Sequence, residues 1–104
     1  MADRHADAGD EWTLEPSDRL RLVPCATRRL GTDLLVNAGG ATGRVERLTG
    51  GGPELWGHFG AGLSVAETAV RVANRLDTAV ESVEPHVLEY AEALLRAGLA
   101  ERAP

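Results

Sequence analysis

Residues 43–53 read GRVERLTGGGP, and they divide the chain into two unlike halves. Val45 and Leu48 are the only apolar residues of the segment 44–48, so it reads as a short extended stretch that buries little by itself. Three glycines and Pro53 break it at once, and Leu55 and Trp56 follow. The stretch needs a partner on one side and has a hinge-like join on the other.

Upstream, the sequence has the punctuation of a β meander. RLRLV (19–23) alternates charged and apolar residues until Pro24 stops it. TRRL (27–30) and DLLVN (33–37) flank Gly31-Thr32, a tight-turn signal, and NAGGATG (37–43) is a second loop before RVERL. Three short antiparallel strands are expected, near 27–30, 33–37 and 44–48.

Downstream, the period changes to that of helices. Pro53 suits the first turn of a short helix over 53–60 that carries Leu55, Trp56 and Phe59. Ser64-Val-Ala-Glu67 is a capping box, in which the hydroxyl accepts a first-turn N–H while the glutamate reaches back. It opens a helix over 65–76 with Val65, Ala69, Val72, Ala73 and Leu76 on one stripe. DTAVESVE (77–84) reads as a loop, and Pro85 starts a last helix through Ala97 with Val87, Tyr90, Ala91, Leu94 and Leu95 on the inner side. Gly98 is placed to end it, with Leu99 behind.

The expected fold is therefore α+β and winged-helix-like, a three-stranded antiparallel sheet followed by three helices over 13–104. The polar opening, MADRHADAGD, has no apolar period, and residues 1–12 read as a disordered tail. A sheet this small leaves an edge, and the strand that runs straight into the helices is 44–48. Its outer edge, beside the final helix, makes a groove suited to β-augmentation, in which an extended peptide adds main-chain hydrogen bonds and drops alternate side chains into the groove.

The chain resembles a known family in RVERLT (44–49), ELW (54–56), GLSVAETAVRVANRL (62–76) and HVLEYAEALLRAGL (86–99). That family is the PqqD-like one, also called the RiPP recognition element, and the resemblance covers about residues 19–101. It implies a non-catalytic chaperone that binds the leader of a ribosomally made precursor peptide and presents the core to a modifying enzyme. It also implies the place: the leader adds as an antiparallel strand to the third strand and packs on the third helix. Carried over by position, the backbone of Arg44, Val45, Glu46, Arg47 and Leu48 pairs with the leader, and Val87, Leu88, Ala91 and Leu95 form one wall. Thr49 stands where the family has Asn, and the GGG run lengthens the join that follows.

Composition narrows the alternatives. At 104 residues, 43% hydrophobic and 26% charged, the chain is one globular domain with a single small core. Its one cysteine, Cys25, admits no internal disulfide and reads as an unreactive thiol, and no apolar run is long enough for a membrane helix, so a cytoplasmic protein is expected. Two residues, His58 and His86, with that one thiol make no metal set, and no cofactor is expected. The glycines match neither phosphate-binding pattern, and no Lys is present to meet a phosphate, so no catalytic constellation emerges.

Charge argues against nucleic acid overall, with a formal net charge of −5. Between residues 19 and 47, however, six arginines face only Asp33 and Glu46, a local surplus of four that suits an acidic leader. The simpler reading is that Arg44 and Arg47 solvate a sheet edge and that Trp56 anchors the core. A winged-helix DNA-binding regulator is the main rival, for which Arg71, Asn74 and Arg75 would be the reading face. An interaction subunit docked on an enzyme is a third, and an exposed edge also permits a homodimer.

Overall fold

The computed structural model describes residues 12–37 and 44–104. The expected tail, apart from Trp12, and the expected loop, apart from Asn37, lie outside the described residues. The elements run β1 (Leu20–Leu22), β2 (Ala26–Leu30), β3 (Asp33–Asn37), β4 (Val45–Leu48), α1 (Gly52–Gly60), α2 (Val65–Leu76), α3 (Val80–Arg96) and β5 (Ala100–Arg102). The fold is α+β; the described residues form three helices and two sheets, β2-β3-β4 and β1-β5, both antiparallel.

The three expected strands are β2, β3 and β4, within one residue at each bound. Leu30 pairs with Asp33 across the two-residue loop Gly31-Thr32. Gly31 has φ +63° and Thr32 is not left-handed, the pattern of a turn whose first central position demands glycine. Along β3 burial alternates, with Leu34 and Val36 inward, and Leu34 pairs with Leu48 to extend that inner face into β4.

The second sheet corrects the expected strand count. RLRLV is a strand after all, and its partner is the C-terminal AER, with Leu20 opposite Arg102 and Leu22 opposite Ala100. The pair is lengthened at both ends, where Val23 N–H donates to Leu99 O (2.9 Å) and Ala103 N–H to Arg19 O (2.9 Å). A three-residue strand whose mate lies some eighty residues away carries no local signal of its pairing.

The capping box forms as expected: Glu67 N–H donates to Ser64 Oγ (3.1 Å), and Ser64 N–H donates to the Glu67 carboxylate (2.8 Å). The segment before β1 completes it. Val65 N–H donates to Asp18 O (2.9 Å) and Ala66 N–H to Pro16 O (2.7 Å), so the first-turn donors of α2 are met by chain from the other end of the fold.

The last helix begins five residues earlier than expected. Its N-cap is Ala79, in an extended conformation, and Pro85 lies inside the helix with its ring exposed. Val83 is buried (8% exposed), and burying it makes up for the main-chain bond that Pro85 cannot donate. At the other end, Leu99 N–H donates to Leu94 O (3.0 Å) and Gly98 N–H to Leu95 O (3.1 Å), the paired closure read from Gly98-Leu99.

One contiguous core joins these parts, with Phe59, Val36, Val65 and Val87 almost fully enclosed. Leu76, expected on the buried stripe of α2, is 53% exposed at the helix end, and Thr68 is buried instead. Trp56 packs against the core from its margin.

Candidate functional site

β4 is an open edge. It pairs with β3 alone, in the register Leu34–Leu48, Leu35–Arg47, Val36–Glu46 and Asn37–Val45, and its far side meets no strand among the described residues. Leu48 is buried, Val45 is 56% exposed, and Arg47 lies on the outer face. β2 is the other edge of this sheet and is exposed along its whole length.

The two arginines of the β4 segment are already engaged. The Arg47 guanidinium pairs with the Asp33 carboxylate at 2.6 Å, across the strand pair, and Arg44 with Glu46 at 2.9 Å. Exposed pairs of this kind contribute about 0–1 kcal/mol each. Their consequence for a ligand is larger, because each cation is neutralised by its own neighbour. Arg28 and Arg29, on β2, are the cations of this sheet with no acidic partner among the described residues.

Of the expected wall on the last helix, only Val87 lines the pocket that follows β4. Val87, Ala91 and Leu95 are 2%, 0% and 5% exposed and belong to the core. Leu88 is half-buried, one turn before Glu92, whose carboxylate accepts Leu14 N–H at 2.8 Å. That flank of α3 faces the segment leading to β1. Glu92 thereby holds the main chain of the segment before β1.

Tyr90 of α3 reaches Gly52, which also abuts Leu48 at the end of β4. A Cβ built on Gly52 would lie 2.7 Å from the Tyr90 hydroxyl and 3.3 Å from Leu48 Cβ. Tyr90 and Leu88 are two positions apart, hence about 160° apart around the helix, so they face opposite flanks. The inner stripe was legible from sequence, but which flank turned to the sheet was not.

The residues that follow β4 line a pocket of about 560 Å³. Thr49, Gly51 and Gly52 form one wall, Leu55, Val72, Leu76, Val83, Val87 and Tyr90 from the three helices supply the apolar lining, and Glu54, Arg75 and His86 are its polar members. At its rim, Glu54 pairs with Arg75 at 2.5 Å and accepts from His58 at 3.2 Å. The Arg75 hydrogen bond holds the Glu54 carboxyl below the usual glutamate range against partial desolvation. The Tyr90 hydroxyl oxygen is enclosed and has no hydrogen-bond partner, and burial pushes its pKa up, so it is a neutral donor. Nothing in the sequence signalled this pocket, because its wall is three glycine-loop residues and its floor is ordinary helix stripe.

Other groups offer less chemistry. Burial raises the Cys25 thiol, keeping it protonated. Among the described residues, no three His, Cys, Asp or Glu side chains gather, and no helix is long and apolar enough to cross a membrane. No family model, curated protein or solved structure matches the chain.

Proposed function

We propose that this chain is a non-catalytic peptide-binding module of winged-helix-like build that captures the leader of a ribosomally made precursor peptide by strand addition to β4 and delivers it to a modifying enzyme. The observation that carries the reading is the free edge of β4, followed at once by residues that line a mainly apolar pocket. An extended segment laid on that edge gains main-chain hydrogen bonds, and its end arrives where side chains can be buried. The sequence resemblance to the PqqD-like family supplies the leader as the kind of peptide. The DNA-binding alternative loses ground at Arg75, which is held by Glu54.

The test is a titration of the full chain with a labelled synthetic leader from a precursor gene neighbouring its own, with Val45→Pro and Glu46→Pro variants alongside. Successive residues of an edge strand point their N–H groups alternately inward and outward. One proline variant is therefore expected to weaken the leader by about 1–3 kcal/mol while staying folded, and the other to lose stability. Two folded variants with unchanged affinity rule out strand addition to β4.

A further inference from the structure

The three-stranded sheet has a second free edge, β2, and the outer face beside it is apolar. Leu34, Val36 and Leu48 point into the core, so the pairing places Ala26, Arg28, Leu30, Leu35, Val45 and Arg47 on the opposite face. Ala26, Arg28, Leu35 and Val45 line a shallow, mainly apolar depression there of about 190 Å³, together with Thr27 and Asn37. Leu30 is exposed at the turn end of the same face. Among the described residues β2 pairs with β3 alone, so alternate main-chain groups along it point away from the sheet and meet no strand. All five of its residues are exposed, and neither Arg28 nor Arg29 has a carboxylate partner among the described residues. Arg44, Arg47 and Arg75 each hold one.

Charge decides what fits this edge. Successive strand residues face opposite sides of a sheet, so Arg28 stands on the outer side of the edge and Arg29 on the inner side, and two adjacent carboxylates on an added strand would meet both. A second copy fits poorly: pairing β2 with itself over its full length sets Arg28 opposite Arg28, and charge on an edge discourages that association. Nucleic acid gains little from two cations on a chain of formal net charge −5. We propose that β2 and the outer face beside it dock an acidic extended segment of a partner protein. The segment adds as an antiparallel strand, sets two successive carboxylates against Arg29 and Arg28, and rests apolar side chains on Leu30 and over the depression at Ala26. In chain order it therefore reads apolar, acid, acid, any residue, apolar. The β4 edge lies two strand spacings away, about 10 Å, so both edges can be occupied at once, and the assignment of β2 stands whatever β4 binds.

Capped pentapeptides of that pattern test the edge. Amide resonances of the full-length chain are followed by NMR while acetyl-Leu-Glu-Glu-Thr-Trp-amide, or the same peptide with both glutamates replaced by lysine, is added. The acidic peptide is expected to shift Thr27, Arg28, Arg29, Leu30 and Leu35 saturably and to leave Arg47 and Leu48 unmoved, and the lysine peptide to shift none of them. Arg28→Glu and Arg29→Glu, both at exposed positions, are each expected to weaken the acidic peptide about 3- to 10-fold with the fold intact, and together to transfer binding to the lysine peptide. Raising the salt is expected to weaken the acidic peptide as well. Shifts on β4 in place of β2, an equal response to both peptides, or indifference to the charge swaps overturns the assignment. So do concentration-dependent shifts of the β2 amides without peptide, the mark of a second copy, and saturable binding of an oligothymidylate at β2, the mark of a nucleic-acid surface.

Discussion

Gly52 is held between Leu48 Cβ and the Tyr90 hydroxyl, with no room for a methyl group. Replacing it by alanine forces the tyrosine ring to move, at about 1–3 kcal/mol of stability. Because the closest atom is the hydroxyl itself, adding Tyr90→Phe to Gly52→Ala is expected to recover part of the loss, and thermal unfolding of the single and double variants measures the coupling. A purely additive pair contradicts the contact. Charge makes the second prediction at this scale. The Glu54 carboxyl is lowered by its bond from Arg75, and that of Glu67 by the Ser64 N–H and then by Arg19. Lowered acids stabilise the fold fully above the unfolded glutamate value of about 4.3 and lose that contribution as pH falls through the lower folded values. Urea midpoints are therefore expected to hold between pH 7 and 5 and to fall below pH 4, less steeply in Glu54→Gln and Glu67→Gln. A midpoint that rises on acidification contradicts both assignments.

At the scale of elements, what was legible followed from what is local. The capping box at Ser64, the closure at Gly98-Leu99 and the turn at Gly31 each lie within six residues, and each formed where the sequence indicated. The start of α3 did not, because a proline suits a first turn and nothing local announces that burying Val83 pulls the helix back to Val80. Pro85 thus costs a hydrogen bond to the Glu81 carbonyl in the second turn. Pro85→Ala is expected to raise stability by about 1–2 kcal/mol, the restored bond outweighing the entropy the proline removes from the unfolded chain. A lower melting temperature would show that the turn 80–84 does not depend on that bond. The β1–β5 pair and the rotation of α3 escaped for one reason: both are decided by chain far away in sequence, the C-terminus for β1 and the loop at Gly52 for Tyr90.

For the whole molecule, the candidate site was half legible. The edge at 44–48 follows from a three-strand count and a strand that runs directly into helices, and β4 has that free edge. The wall was placed on Val87, Leu88, Ala91 and Leu95, whereas only Val87 lines the pocket, Ala91 and Leu95 are core, and Leu88 shares the flank of Glu92, which holds Leu14. Leader affinity is accordingly expected to be insensitive to Leu88→Ala and to fall with Leu76→Glu, at the exposed margin of the pocket, measured by calorimetry; the reverse order would return the groove to the opposite flank. Since Arg44 and Arg47 are neutralised by Glu46 and Asp33, the salt dependence of binding should reside more in Arg28 and Arg29. The most direct measurement is amide hydrogen exchange across the full chain with and without the labelled leader. Strand addition predicts slowed exchange at alternate amides of Val45 to Leu48, the outward-facing donors, together with Gly51 and Gly52. Protection confined to β2 or to the exposed face of α2, with β4 exchanging as in the free protein, would contradict it.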